Sequence, residues 1–248
     1  IGYEIAENLR QRWTYDFSRR EVTDVRSDAS VVIQRLEGSS FVSEIGQSLT
    51  YDTRDSRFRP TEGFYAELSA TAAGLGGNTN YVRGTLGAGY YYPLFERDVI
   101  LSATGEIGVS RNFDGSGSFI DSFFHGGQSV RGFENFGIGP RDPGSDDAIG
   151  GQNFFAGTLQ ASFPLGFPEE LGVRGRSFVD FGSLWSVDDT GLANLNGVDD
   201  GFALRASGGV GVTWDSPFGP IAIDYAFPFA KEDFDQTENI RFSFGTTF

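Results

Sequence analysis

The sequence predicts an all-β protein, specifically a transmembrane antiparallel β-barrel, and three observations support this fold class. Apolar and polar residues alternate with a period of two along most of the chain, which is typical of β-strands with two different faces. The alternating runs are about 9–14 residues long, whereas soluble strands usually have about 5–6 residues and a tilted strand needs about 9–11 to cross a bilayer. Aromatic residues gather near the ends of the runs, as they do at the two interfaces of a membrane.

The first five predicted strands cover residues 8–18, 41–54, 63–73, 79–94 and 99–112. In the first of them, Trp13, Tyr15 and Phe17 share one face, and Arg10 and Arg12 share the other. Each of the next four shows a similar alternation. The polar faces of the third, fourth and fifth strands carry charged residues in mid-strand, namely Glu67, Arg83 and Glu106.

The later predicted strands cover residues 152–165, 173–185, 203–216, 221–229 and 240–248, which gives about ten strands in all. Their apolar faces carry Phe155, Leu159, Val179, Val210, Trp214, Tyr225 and Phe227. Their polar faces carry Gln160, Arg174, Arg176, Asp180, Arg205 and Asp224. A soluble β-sandwich would also alternate, but strand length and charges in mid-strand favour a barrel with a polar interior.

The predicted connections differ in length between the two ends of the strands. The links 19–40, 113–151 and 186–202 are long, and 74–78 and 230–238 lie on the same side. The turns 55–62, 94–98, 166–172 and 216–220 are tight. Outer-membrane barrels have short periplasmic turns and longer outer loops. No second domain is visible, so residues 1–248 are expected to form one barrel domain.

Composition excludes several classes of function. The chain has no Cys and a single His, His125, so thiol catalysis and Cys-ligated metal centres are excluded. The formal net charge of −15 is unsuited to nucleic-acid phosphates. No apolar run approaches the roughly 18 residues of a membrane-spanning helix, and the first residues do not form a signal peptide. The missing initiator Met suggests a chain that begins inside a larger protein or a processed precursor.

Four short motifs resemble the BamA family of outer-membrane protein assembly factors. They are the loop motif Val130-Arg131-Gly132-Phe133, the strand motif Phe178-Val179-Asp180-Phe181-Gly182, the hairpin Asp215 to Pro220 and the run Tyr51 to Asp55. The resemblance covers nearly the whole chain. It implies about ten C-terminal strands of a sixteen-stranded barrel, with the amino-terminal soluble repeats and the first strands absent.

In that family the loop motif folds back into the interior of the barrel. The resemblance therefore implies that Arg131 contacts Asp180, with Phe178 and Gly182 beside it. The alternation agrees, because these three strand residues share the polar face. One position departs from the family, since Gln160 stands where relatives often carry an acidic residue. The alternative is that Val130 to Phe133 form an ordinary solvated turn.

The last predicted strand resembles the C-terminal signal of outer-membrane barrels, with apolar residues at Ile240, Phe242, Phe244 and Phe248. In the family this strand also closes weakly against the first strand and forms a seam that opens sideways. Gly245 either weakens the strand locally or makes room for an interior side chain.

The function implied by the resemblance is the assembly and insertion of β-barrel proteins into the bacterial outer membrane, through strand templating at the seam. The implied partners are nascent outer-membrane proteins, outer-membrane lipids and lipopolysaccharide, and accessory lipoproteins bound through the missing amino-terminal region. A related secretion or autotransporter-assembly barrel and a passive porin are the alternatives.

No enzyme activity, cofactor or metal is expected. The acidic clusters at Asp142, Asp146 and Asp147, at Asp188 and Asp189, and at Asp199 and Asp200 either carry solvated charge or bind divalent cations.

Overall fold

A computed structural model describes residues 1–113, 121–187, 197–217 and 219–245 of the chain. Its strands are β1 (Gly2–Ala6), β2 (Leu9–Val22), β3 (Gly38–Asp52), β4 (Gly63–Ala73), β5 (Tyr81–Leu94), β6 (Val99–Asn112), β7 (Gly132–Phe133), β8 (Asn153–Pro164), β9 (Val173–Trp185), β10 (Arg205–Ser216), β11 (Gly219–Ala230), β12 (Thr237–Glu238) and β13 (Ile240–Phe244). One short helix, α1 (Val31–Gln34), and 3₁₀ turns at Phe95–Arg97 and Glu169–Leu171 accompany them. Within the described ranges, no helix has the length and apolar character needed to cross a membrane.

Eleven of the strands form one antiparallel sheet in which each main strand pairs with the next along the chain. The all-β antiparallel prediction is therefore confirmed. The short strands β7 and β12 pair with each other separately. Long connections, such as 23–37 and 231–239, lie at one end of the sheet, and tight ones, such as 53–62 and 95–98, lie at the other. We call these the long-loop end and the short-turn end.

The sheet has one strand more than predicted. β1 has only five residues, too few for the alternation to stand out, and it joins β2 through a tight turn in which Asn8 adopts a φ of 62°. Asn tolerates this left-handed conformation better than most residues. β2 also extends beyond residue 18 to Val22, because its charged end pairs with residues 38–41 of β3.

The two faces of the sheet have opposite chemistry. One face is lined by apolar and aromatic side chains that are exposed on the molecule, and in mid-sheet Leu68, Leu86 and Ile107 form a continuous row across β4, β5 and β6. Aromatic pairs lie at both ends of this face, with Tyr51 near Phe64 and Phe17 near Phe41. The other face buries charged side chains such as Arg176 and Asp224. This arrangement is the reverse of a soluble protein and is typical of a membrane barrel wall.

The sheet curves around its polar face, which we call the interior. Arg59, in the turn after β3, forms an ion pair of 2.7 Å with Asp215 of β10. At the other end, Arg20 of β2 contacts Asp121, which follows β6, at 2.9 Å. These pairs join parts of the sheet that are far apart in strand order. Among the described residues, β1 and β13 are the two edges, and each pairs with a single neighbour.

The outward position of Leu86 predicts a large cost for a charge at that site. Leu86→Arg should lower the free energy of unfolding in a bilayer by about 2–4 kcal/mol, since an Arg near the middle of the hydrocarbon is poorly solvated. Thr85→Arg, one residue away on the interior face, should cost much less. Equilibrium unfolding in urea from lipid vesicles measures both values, and equal costs for the two variants would contradict the assignment of the faces.

Candidate functional site

The site is built on the loop between β6 and β8, whose described part, residues 121–152, lies against the interior face. We call these residues the motif loop. Val130, Phe133 and Ile138 are buried there and pack together, with Ala156 of β8 beside them. Backbone bridges join Phe123 to Gly151 and His125 to Ile138, which gives the loop a fixed shape. The motif residues are therefore part of a packed core and not of a solvated turn.

Arg131 and Asp180 form a buried ion pair between the motif loop and β9. The Asp180 carboxylate accepts hydrogen bonds from Arg131 Nε at 2.7 Å, from Nη2 at 2.8 Å and from the Arg131 backbone N–H at 2.9 Å. Thr158 of β8 donates a fourth hydrogen bond, at 2.9 Å. A buried charge is tolerated only when it is paired and hydrogen-bonded, and here both conditions are met.

The remaining sides of the Arg131 guanidinium are also occupied. Its Cζ lies 3.3 Å from the centre of the Phe178 ring, so the cation stacks on an aromatic face. Nη1 donates to Gln160 Oε1 at 3.2 Å. The residue that departs from the family pattern thus supplies a neutral acceptor at this position. Arg131 has one carboxylate partner and one amide partner among the described residues.

Small residues on the interior face make space for this arrangement. A Cβ atom added to Gly182 would lie 2.9 Å from Val130 Cγ2 and from the Phe155 carbonyl oxygen. On β10, a Cβ at Gly209 would lie 2.5 Å from the Phe178 ring, and the Ser207 hydroxyl donates to the Arg131 carbonyl oxygen. The sequence predicted the place of Gly182 beside the motif loop but gave no indication of the role of β10. A run of small residues on the polar face of one strand was the available signal.

Two more buried ion pairs extend the network toward the last strands. Arg176 of β9 donates two hydrogen bonds to Asp224 of β11, one of them 2.7 Å long. The two side chains meet above Gly211 of the intervening strand β10, which has no side chain to obstruct them. Arg205 of β10 contacts Asp235 at 2.9 and 3.1 Å. Both side chains of each pair are at most 4% exposed. The sequence placed the two arginines in the interior but gave no indication of their partners.

Backbone pairing provides a further attachment for the motif. Gly132 and Phe133 form β7, which pairs with Glu238 and Thr237 of β12. Gly132 has a φ of +94°, a conformation that favours glycine, and a Cβ there would lie 3.1 Å from Ser207 Cβ. All four residues of the loop motif are buried.

The predicted C-terminal residues lie at the edge of the sheet. Phe242 and Phe244 of β13 point outward and are 73% and 68% exposed. Gly245 follows β13 with a φ of +108°, and no atom lies within 4 Å of the place where its Cβ would be, so it does not make room for an interior side chain. Phe248 lies outside the described residues. The strand motif and the loop motif therefore meet, whereas the C-terminal residues form a separate surface.

A cavity of about 860 Å³ separates the motif loop from the short-turn end of the sheet. Its lining includes Arg131, Arg174, Arg176, Asp224 and Arg241. Arg174 donates to the Asp98 and Ser162 carbonyl oxygens, at 2.6 and 3.3 Å, and not to the motif loop. The motif loop therefore fills one part of the interior, and the polar cavity lies beside it.

The single histidine and the acidic clusters have structural contacts. His125 Nδ1 lies 2.9 Å from Ser129 Oγ, its ring packs on Phe154, and burial lowers the pKa of His125 to about 4. Asp147 accepts from the Ser30 N–H at 2.7 Å, and Asp142 from the Gly144 N–H at 2.8 Å. The described parts of the chain contain no group of three or more potential metal-binding side chains. Asp188 and Asp189 lie outside the described residues.

Comparisons with known proteins agree with this geometry. A family model described as the Omp85 superfamily domain matches residues 1–248. The outer membrane protein assembly factor BamA of Neorickettsia risticii is 31% identical over 248 residues, which are all of this chain and 33% of that protein. BamA of Neisseria meningitidis is 31% identical over 217 residues, 78% of this chain and 27% of that protein. This chain thus spans about a third of the length of these relatives.

A crystal structure of BamA from Haemophilus ducreyi lacking POTRA domains 1–3 has a similar fold. Its TM-score with this chain is 0.78 at 24% sequence identity, and the match covers all of this chain and 53% of that one. This likeness supports the interpretation of the curved sheet as part of a barrel wall.

The buried pair predicts a large and coupled loss of stability. Arg131→Gln or Asp180→Asn should each lower the free energy of unfolding by about 3–5 kcal/mol, because each leaves a buried charge without its partner. The double variant should cost less than the sum of the two. The exposed pair Arg19 and Glu21, 3.3 Å apart, is the control and should contribute less than about 1 kcal/mol. Additive losses at Arg131 and Asp180 would contradict the coupling.

The lowered pKa of His125 predicts a loss of stability in mild acid. The opened loop takes up a proton near pH 6.5, whereas the folded loop resists protonation down to about pH 4. Stability should therefore fall by about 1–2 kcal/mol from pH 7 to pH 5 and level off below pH 4. His125→Phe retains the ring packing and should lack this part of the pH dependence in thermal unfolding. Identical pH profiles for both proteins would refute the prediction.

Proposed function

The chain belongs to the Omp85 superfamily, and we propose that it is the membrane-embedded part of a factor that assembles β-barrel proteins in the bacterial outer membrane. Two relatives of about equal identity carry the name outer membrane protein assembly factor BamA. In this proposal, residues 1–248 form the C-terminal part of a larger barrel. The outward row of apolar side chains supports its location in a bilayer.

The observation that carries the proposal is the edge strand β13. Within the described residues it pairs only with β11, through five residue pairs, and its outward side chains are apolar. In the whole barrel we propose that this edge closes weakly against the first strand and separates from it, and the N–H and C=O groups that the separation leaves unpaired are costly in hydrocarbon. An incoming β-strand satisfies them by adding to the edge, which is the general mode of β-augmentation. The strands of the incoming barrel move from water into the bilayer one after another. The new barrel leaves β13 when its own first and last strands pair with each other.

The motif loop that occupies part of the interior does not favour a passive porin. A porin requires an open aqueous channel, whereas here Val130, Phe133 and Ile138 form a buried cluster in the interior. The motif loop is also fixed by ion pairs and by backbone pairing. A related barrel that secretes one partner would share the fold, but the two relatives described above are named as outer membrane protein assembly factors.

The proposed chemistry is noncovalent throughout. We propose that the substrates are unfolded outer-membrane proteins, recognised by backbone pairing and by the apolar side chains of their strands. Lipids and lipopolysaccharide would contact the outward face. Accessory lipoproteins would bind segments outside this chain. The role proposed for the motif loop is to keep the interior side of β13 in place while its edge exchanges partners.

Disulfide trapping between β13 and a substrate strand tests the proposal. The chain has no Cys, so a single introduced thiol reports one position. With the protein in lipid vesicles, Ser243→Cys on β13 should form crosslinks with a Cys in the last strand of an unfolded barrel substrate, with a strong dependence on register. Thr85→Cys, on the same face of a central strand, is the matched control. Substrate folding should be several-fold faster than in empty vesicles.

Two outcomes would contradict the proposal. One is equal crosslinking at Ser243→Cys and Thr85→Cys, which would indicate non-specific association. The other is a substrate folding rate that is the same with and without the protein.

A further inference from the structure

Arg241 is the interior-facing cation of the edge strand. It lies on β13 between the outward side chains Ile240 and Phe242, and it stands opposite Asp224 in the pairing with β11. Its side chain is 11% exposed. Asp224 already pairs with Arg176 of β9, so Arg241 finds its partners elsewhere.

The guanidinium of Arg241 donates two hydrogen bonds to the motif loop. Nη1 donates to Asn135 Oδ1 at 3.2 Å, and Nη2 donates to the Phe133 carbonyl oxygen at 3.3 Å. A Cβ atom at Gly127 would lie 3.0 Å from Nη2, so the lack of a side chain at Gly127 leaves space for the cation. Glu238, three residues before Arg241, supplies the carboxylate.

The segment that leads into β13 is attached to the same loop through its backbone. The N–H of Glu134 donates to the carbonyl oxygen of Gln236 at 3.0 Å, and the N–H of Gln236 donates to the carbonyl oxygen of Gly137 at 2.9 Å. These bonds adjoin the pairing of β7 with β12. Asp235, in the same segment, is bound to Arg205 of β10. The connection 231–239 therefore has little freedom to move without the motif loop.

The motif is thus attached in two directions. Arg131 binds the motif to β8 and β9. Arg241 of β13 binds the carbonyl oxygen of Phe133, the last residue of the same motif. Within the described residues β13 pairs with one strand through five residue pairs, so the contacts of Arg241 add a second attachment to the rest of the molecule. We propose that Arg241 is a positioning residue that couples the edge strand to the motif loop, so that neither is displaced without loosening the other. Its meaning for assembly rests on the proposed function, but the coupling itself is independent of it.

The first arm of the test measures opening of the motif loop. Val130 is fully buried, so Val130→Cys in these 248 residues, which contain no other Cys, is alkylated only when the loop opens. Arg241→Gln should raise the alkylation rate at least about tenfold, because hydrogen bonds from a charged group are lost. Arg174→Gln is the matched control, since Arg174 is also an interior-facing arginine but does not bond to the loop, and its rate should stay unchanged.

The second arm measures the edge strand. Hydrogen exchange of residues 240–245 should become faster in Arg241→Gln and also in Arg131→Gln, although the ion pair and hydrogen bonds of Arg131 described above go to β8, β9 and β10. Asn135→Ala removes one acceptor on the loop and leaves the Arg241–Glu238 pair. It should therefore raise both the alkylation rate of Val130→Cys and the exchange rate of residues 240–245, by a smaller factor than Arg241→Gln. It also keeps the test informative if Arg241→Gln does not fold.

A purely local role for Arg241 gives a different pattern. Arg241→Gln would then speed exchange in β13 without changing alkylation of Val130→Cys, and Arg131→Gln would leave β13 unchanged. Either result overturns the coupling. Failure of the wild-type protein to accelerate substrate folding, with both arms as expected, would remove the proposed function and leave the coupling intact.

Discussion

The structure depends on the pairing of permanent charges inside a curved sheet. Arg131 cannot lose its charge, and burial away from water is tolerated only because Asp180, Gln160 and Phe178 surround it. That requirement fixes the position of the motif loop against β8 and β9. It also explains the small residues of β10, because larger side chains at Ser207 or Gly209 would occupy the space that the pair and the Phe178 ring need.

The same constraint organises the last strands. Arg176, Arg205 and Arg241 each require acceptors in the interior, and they find them on β11, on the connection 231–239 and on the motif loop. The ion pairs therefore run across strand boundaries and connect elements that the backbone ladder leaves separate. The apolar outward face has no such specificity, since acyl chains fit many shapes. Precise contacts are concentrated in the interior.

The sequence predicted those parts of the fold that depend on local periodicity. The two-residue alternation placed nearly every long strand and assigned Arg176, Asp180 and Asp224 to the interior face. It missed β1, which is too short to show a period. It also missed Asp235 and the motif-loop contacts of Arg241, because those contacts join residues 30 to 108 positions apart and no local pattern encodes them. The contact of Arg131 with Asp180 came from a family resemblance, and periodicity alone could not supply it.

The choice of cation in the interior has a consequence for the conditions under which the molecule holds together. The chain has a single lysine, Lys231, and every basic partner in the buried pairs is an arginine. Guanidinium groups keep their proton in strong alkali, where ammonium groups lose theirs. Carbonate washing of membranes, which strips peripheral proteins, should therefore leave these internal attachments charged and closed.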